Sequence, residues 1–460
     1  MNKKKHFSAG AYEGKQALVM GLGLHGGGLE AVKFFLRAGA RVTVTDMRTR
    51  RELAPSVRAA KRFAKAGGYP PVRFVLGTHR AADFKKADIV LRNAGVRPDS
   101  RFLAIARKSG AEVVSDILIF FRACPAPIIG VTGTRGKSTA AYCISEFLKT
   151  EFPKRRVWLA GNIRTSVFDI LSRVRPNDCV ILELSSFQLM DLFELKKSPH
   201  IAVVTNILND HLNWHKSKRE YIRAKSFIFR FQKPDDHVFI PAGDSILRRA
   251  VRGARSHIHR VSVSTKDRSA ISRGIGEHYV SSAGLALAVA RHRGVSRRSI
   301  KKVLGRFRGL PFRQEEIRVW KGIYFVDDTT ATIPDATVAA LRRFVPLSRA
   351  RNGGVILIAG GSDKKLDFRE FAAVLARLAK AVIFLPGSAT KKMKEECRRY
   401  PEIKGIAYDA PSMRRAVGIA AAHARRGDTI LLSPGAASFG LFLNEFDRGE
   451  QFNREVRRIR

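Results

Sequence analysis

Residues 130–142 read GVTGTRGKSTAAY, and they follow the apolar run PAPII. A short apolar, β-branched run that ends in glycines predicts a buried strand, and the Ala-containing stretch after Lys137 predicts a helix. Between the two, Gly133, Gly136, Lys137 and Ser138 supply a flexible backbone, a cation for phosphate and a hydroxyl suited to magnesium. The strict P-loop pattern would put glycine at 131, which is Val131 here, with the glycines falling at 130, 133 and 136. A strand, a glycine turn, Lys-Ser and a helix in that order still point to a nucleotide phosphate site, and ATP is the natural ligand.

The same strand-then-helix alternation extends outward in both directions. Upstream, QALVMGLG, RVTVTD, VRFVLG, ADIVLRN and AEVVSD read as strands of a parallel sheet that ends near Phe121, with a helix from about Gly26 to Ala38 and a hinge at CPAPI. Around and after the loop come IIGVTG, CVILEL, IAVVTNI and HVFIPA, closing with SAGLALAVARHRG and GLPFR. A third series, IYFVDD, GVILIAGG, AVIFLPG and DTILLSPG, runs to the end. The expected fold is therefore α/β in three domains. These are a Rossmann-like N-terminal domain over 1–122, a central P-loop-type ATPase domain with a parallel sheet over 123–310, and a C-terminal Rossmann-like α/β domain over 311–460.

A second glycine turn, GLGLHG from Gly21 to Gly26, satisfies GxGxxG and is followed by Asp46 at the end of the next strand. On spacing alone this is a dinucleotide fingerprint, and an NAD-dependent oxidoreductase would explain it while leaving TGTRGKST without a role. A phosphate loop also needs metal ligands on neighbouring strand ends. Glu183 closes CVILEL, and Asp210 and His211 follow IAVVTNI; His211 and His215 could instead share one face of a helix.

Composition narrows the class. The chain has 460 residues, 45% of them apolar and 27% charged, which is globular and large enough for several cores. The stretch MNKKKHFSAGAYEGK is basic without the apolar centre of a signal peptide, and no run approaches membrane-spanning length, so the expectation is a cytoplasmic protein without membrane insertion. Four dispersed cysteines, Cys124, Cys143, Cys179 and Cys397, form no CxxC pair and suit a reducing compartment. With 85 Lys and Arg against 40 Asp and Glu, the net charge of +45 invites a nucleic-acid reading. The basic residues are scattered among acids, and no base-reading motif accompanies them, so a generally basic solvated surface is the expectation.

TGTRGKST, LELSSFQL (182–189), NDHLNWH (209–215), YIRAK (221–225), GLPFR (309–313) and LSPGAASFGLFLNEFDRGEQF (432–452) together resemble the Mur ligases. LELSSFQL and SPGAASF resemble the D-glutamate-adding members in particular. The resemblance spans all three domains and implies an ATP-dependent amide ligase of cytoplasmic peptidoglycan precursor synthesis, acting as a monomer. Its substrates would be UDP-N-acetylmuramoyl-L-alanine and D-glutamate, joined through an acyl phosphate.

Carried onto this chain, the resemblance implies an ATP site of Gly133, Thr134, Gly136, Lys137, Ser138, Thr139, Arg313 and Asp328. Two Mg2+ ions would be held by Ser138, Glu183, His211 and a carbamylated Lys225, with Lys137, Glu183, His211 and Lys225 as the catalytic set. The UDP-substrate would meet Gly23, Leu24, His25, Asp46, Arg48, Gly95 and Asn162. D-glutamate would meet Thr332, Lys364, Ser438, Phe439 and Phe446. The chain departs from the family pattern at Arg135, at Phe312 where histidine is common, and at Tyr279 and Ser282 in place of two asparagines, one of which helps hold adenine. Folylpolyglutamate synthase is the rival within the superfamily; its phosphate loop lies near the N-terminus, whereas here a βαβ domain precedes it.

Overall fold

The computed structural model describes residues 12–459 except positions 25, 94, 164, 209–214, 216, 308, 364, 365 and 439, and leaves undescribed the side chains at 274, 275 and 278. It holds three sheets in two compact units, Met1–Phe307 and Arg308–Arg460.

The first sheet contains β1 (Gln16–Met20), β2 (Arg41–Asp46), β3 (Arg73–Leu76), β4 (Ile89–Arg92) and β5 (Glu112–Val114), in the order β3-β2-β1-β4-β5 and parallel throughout. The strand order reverses at the β1–β4 crevice, where ligands of doubly wound sheets bind. Helix Gly27–Arg37 follows β1 closely because Gly28 has no side chain: a Cβ there would lie 2.3 Å from the carbonyl oxygens of Gly21 and Leu22.

The second sheet contains β6 (Ile128–Thr132), β7 (Val157–Gly161), β8 (Cys179–Glu183), β9 (Ile201–Val204), β10 (His237–Pro241) and β11 (His257–Val261), ordered β11-β10-β9-β6-β8-β7 and again parallel. All five residues of β6 are buried, as a strand covered on both faces requires. Helix Lys137–Glu151 leaves it and packs along the Ala-rich helix Val280–His292. The edge strands β7 and β11 were not among the expected strands.

The CPAPI junction, expected as a hinge, lies in a packed region: both sheets contribute to one apolar core, within which Phe34 stacks on Phe168 with ring centroids 4.2 Å apart. Arg92 at the end of β4 forms a buried ion pair with Asp191 on helix Ser186–Leu195. Beside them Asp116 is pushed up to about 6, first by burial and then by the Asp191 charge.

The third sheet contains β12 (Glu315–Trp320), β13 (Ile323–Asp327), β14 (Val355–Gly360), β15 (Ala379–Leu385), β16 (Ala407–Asp409) and β17 (Thr429–Leu432), ordered β12-β13-β17-β14-β15-β16. β12 pairs antiparallel with β13 and the other pairings are parallel, so this α/β sheet is mixed, with β12 as its antiparallel edge strand.

Candidate active site

The loop after β6 is centred in its sheet, with β9 on one side and β8 on the other. Its shape depends on two glycines. Gly136 adopts left-handed φ 80° at the N-cap of helix Lys137–Glu151, and a Cβ there would lie 2.0 Å from Ser282 Oγ. At Gly133 (φ +148°) a Cβ would come within 1.9 Å of Thr205 Oγ1. The helix start thus presents backbone amides and the positive end of its dipole, which favour phosphate.

The segment after β9 clamps the loop. Thr134 N donates to Asn206 O at 3.0 Å, Arg135 N to Asn206 Oδ1 at 2.9 Å, and Thr205 Oγ1 to Arg135 O at 2.6 Å. Leu208 N donates to Thr134 Oγ1, which also lies 3.1 Å from the Tyr221 hydroxyl. Arg135, a departure from the family pattern, is therefore held through its backbone while its side chain is exposed. Lys137 Nζ donates to Thr134 O at 3.0 Å; Ser138 is half-buried in the first turn and Thr139 is buried behind it.

Glu183 ends β8 in register with Val131 of β6, so it stands at the strand end next to the one from which the phosphate loop leaves. It is 2% exposed; Oε1 accepts from Asn162 Nδ2 at 3.2 Å, and Oε2 is buried with no hydrogen-bond partner among the described residues. Asn162 is anchored in turn by its amide, which donates to Glu183 O at 2.8 Å. A buried anionic oxygen left without a donor is costly alone and suits a hard divalent cation. The rest of LELSSFQL builds the support, since Ser185 and Gln188 form a reciprocal capping box on helix Ser186–Leu195.

Lys225 is 2% exposed on helix Lys218–Arg230, where its Nζ donates to Gly133 O at 2.8 Å and lies 4.6 Å from the centre of the Tyr221 ring, one helical turn away. His211, like Asp210, lies outside the described residues. His215 is fully buried, with Nε2 3.0 Å from Ser186 Oγ and its ring stacked on Phe187.

At the edge of the first sheet, Asp46 ends β2 and takes three amides: Leu22 N (2.9 Å) and Gly23 N (3.2 Å) on Oδ2, and Arg48 N (2.9 Å) on Oδ1. Its carboxylate is committed to shaping the glycine turn, whereas in a dinucleotide site that carboxylate would be turned to a ribose. Asn93 Nδ2 donates to Gly21 O at 3.2 Å across the β1–β4 crevice, and exposed Gly95 lies in the turn that follows. Leu24 packs on the domain core and Arg48 is exposed; His25 lies outside the described residues.

In the second unit the loops after β13, β14 and β17 meet at one sheet edge. Ser362 N donates to Ala437 O at 2.8 Å and Ala437 N returns to Ser362 O, joining GGSDKK to SPGAASF. Asp328 is buried, accepts from Ser433 Oγ at 2.8 Å, and is pushed up to about 7 by burial against the opposing pull of that bond and of Arg313. Its neighbour Asp327 is likewise raised to about 7 by burial. Arg313 itself is exposed. Thr332 is half-buried just after β13 and Ser438 is buried after β17. Phe446 meets Phe312 edge-to-face at 5.7 Å, Phe312 being held at φ 63°. Lys364 and Phe439 lie outside the described residues.

Four supporting residues escaped the sequence reading. Thr205, Asn206 and Tyr221 shape the phosphate loop. Arg448 is fully buried, donates to Thr329 and Ala436, and is lowered to about 10 by that burial. The Thr-Asn pair directly after an apolar strand was the available signal for the first two; Tyr221 and Arg448 stand within YIRAK and LSPGAASFGLFLNEFDRGEQF, which mark the segments without singling out those two residues.

Comparison with known proteins matches the chain to the MurD-like N-terminal domain of Mur ligases over residues 15–115, to the Mur ligase middle domain over 131–307 and to the Mur ligase glutamate ligase domain over 312–435. It is 39% identical to UDP-N-acetylmuramoylalanine--D-glutamate ligase of Roseiflexus sp., covering 96% of this chain and 98% of that one. The enzyme of the same name from Borreliella afzelii is 34% identical over 95% and 97%. Among solved structures, MurF from Acinetobacter baumannii superposes with a TM-score of 0.55 at 18% identity, covering 82% of this chain and 92% of that one. Escherichia coli FolC in complex with DHPP and ADP gives 0.52 at 19%, covering 74% and 91%. The two structures share the fold, and the sequence matches run nearly end to end: the chain belongs to the Mur ligase family.

Proposed function

We propose that this chain is an ATP-dependent ligase that adds D-glutamate to UDP-N-acetylmuramoyl-L-alanine during cytoplasmic assembly of the peptidoglycan precursor. The observation that carries the chemistry is the pairing of the β6 phosphate loop with the buried, half-satisfied carboxylate of Glu183 on the adjacent strand end. The substrates are those in the name of relatives 39% and 34% identical to this chain. The domain division 1–122, 123–310 and 311–460 is part of the same reading. No helix among the described residues is long and apolar enough to cross a membrane.

In the reaction, the alanine carboxylate of the UDP-sugar attacks the γ-phosphate of ATP and ADP leaves, giving an acyl phosphate. The amine of D-glutamate then attacks the activated carbonyl, a tetrahedral intermediate forms, and inorganic phosphate departs as the amide closes. A carboxylate resists amines until one of its oxygens becomes a good leaving group, which is what the phosphate is spent on. Lys137 and the amides at the start of its helix hold the phosphates. Ser138 and Glu183 would supply oxygen donors for one Mg2+, and an imidazole nitrogen of His211 with a carbamate oxygen on Lys225 would hold a second. Bound there, magnesium would neutralise charge on the transferring phosphoryl group.

Lys225 as a bare cation would repel a metal, so carbamylation, which converts it to an anion, fits that role; a carbamate carbon resonance from 13C-bicarbonate, lost in Lys225→Arg, tests it. Asn162 meets the UDP-substrate and, through its bond to Glu183 Oε1, also orients that carboxylate. Asp46, Gly23, Leu24, His25, Arg48 and Gly95 form the UDP edge. Arg313 and Asp328 serve ATP, and Thr332, Lys364, Ser438, Phe439 and Phe446 receive D-glutamate. Incubation with ATP, magnesium, UDP-N-acetylmuramoyl-L-alanine and hydroxylamine, without glutamate, tests the route: a hydroxamate of the UDP-sugar is expected, and its absence alongside active amide synthesis would rule out an acyl phosphate.

A further inference from the structure

Away from the phosphate loop, three histidines converge from two strands of the second sheet and one helix: His237 opens β10, His259 sits within β11, and His292 closes helix Val280–His292. Strand register pairs His237 with His257, so the two-residue period puts His237, His257 and His259 on one sheet face. The ring of His292 lies 4.1 Å from that of His237, and Phe239 stacks flat on His259 at 4.2 Å, fixing its plane. One nitrogen from each of the three histidines lies within 4.8 Å of the other two.

His237 Nδ1 and His259 Nε2 are 3.0 Å apart. Two ligand nitrogens on a tetrahedral zinc-class ion stand about 3.3 Å apart, given metal–nitrogen bonds of about 2.0 Å. Two neutral imidazole nitrogens at this distance must share a proton, and a cation can take that proton's place. Burial, followed by mutual repulsion among the histidines, lowers the pKa of all three and keeps their lone pairs available at neutral pH. Asp235 and Asp236 act on His237 in the opposite direction, and Arg293 adds repulsion at His292. Imidazole nitrogens without carboxylate or thiolate suit zinc, nickel or cobalt and disfavour magnesium. The cluster also starts from the amino end of β10, while the phosphate loop leaves the carboxyl end of β6.

We propose that His237, His259 and His292 bind one divalent transition-metal ion that fastens the last two strands of the central sheet to the carboxyl end of helix Val280–His292. The same helix carries Ser282 against Gly136 near its other end, so the ion braces the element on which the phosphate loop rests.

The test is a Co2+ titration of tag-free, chelator-stripped full-length protein in saturating Mg2+, followed by visible absorption and by calorimetry. Wild type is compared with His292→Gln, which alters an exposed side chain, and with His259→Gln and Glu183→Gln; circular dichroism checks folding. One equivalent of Co2+ is expected, with affinity at least about tenfold weaker in both histidine variants and unchanged in Glu183→Gln. Absence of saturable binding, or binding that His292→Gln leaves intact, would overturn the proposal. Loss in Glu183→Gln alone would place the ion at the phosphate loop and overturn it equally.

Discussion

Asn162 Nδ2 donates to Glu183 Oε1 at 3.2 Å, while the second oxygen of the same carboxylate is buried with no hydrogen-bond partner among the described residues. An unmet buried acceptor costs about 1–3 kcal/mol. Glu183→Gln should therefore leave the melting temperature of the ligand-free protein equal or higher. Loss of the metal's transition-state stabilisation, several kcal/mol, should lower magnesium-dependent phosphate release by on the order of 10²-fold or more. Thermal melts and steady-state rates check this; a marked loss of stability would mean that Glu183 serves structure and not a cation.

Gly136 combines left-handed backbone with contact to Ser282. Alanine there meets both a strain of about 1–2 kcal/mol and a clash with Ser282 Oγ. Gly136→Ala should raise the KM for ATP and lower stability, Ser282→Ala alone should do little, and the double variant should regain part of the loss. Additive effects in that cycle would show that the two residues do not contact.

The carboxyls of Asp327 and Asp328 both sit at about 7, raised by burial from 3.8. Between those values the folded protein binds protons that the unfolded chain has released, so these groups make stability fall as pH rises from about 4 to about 7. Asp328→Asn should flatten the decline of melting temperature over that window. An unchanged slope would mean that Asp328 is ionised in the folded protein.

Asp46 holds three backbone amides. Hydrogen bonds to a charged group contribute about 1.5–3 kcal/mol each, and an asparagine in place of the acid keeps one strong acceptor. Asp46→Asn should raise the KM for the UDP-substrate by about tenfold or more while kcat at saturation changes little. Wild-type melting temperature should respond to the UDP-substrate and not to NADH.

The central strands and both glycine turns were legible because they are local: apolar runs such as IIGVT and VILIA, buried on both sides, end in glycines whose backbone freedom the turn needs. The edge strands of the first sheet, in VRFVLG and AEVVSD, were legible too, but those of the second and third sheets were not. VWLAG, HIHRV, EEIRVW and AYD are short, half-exposed or polar, and they become strands by pairing with a neighbour. The alternation His257-Ile258-His259 stands in the sequence, but the partners that complete the cluster, His237 and His292, are brought in by strand pairing and packing. Glu183, Lys137 and Ser138 could be picked from spacing alone, whereas Ser282 beneath Gly136 and Tyr221 beside Thr134 depend on contacts between residues far apart in the chain.

The central claim rests on which amino acid the enzyme accepts. Purified protein with ATP, magnesium and UDP-N-acetylmuramoyl-L-alanine should release one phosphate per amide formed when given D-glutamate, with a product heavier by one glutamyl residue by mass spectrometry. L-glutamate and other amino acids should give neither phosphate nor product. Turnover with a different amino acid, and none with D-glutamate, would contradict the account.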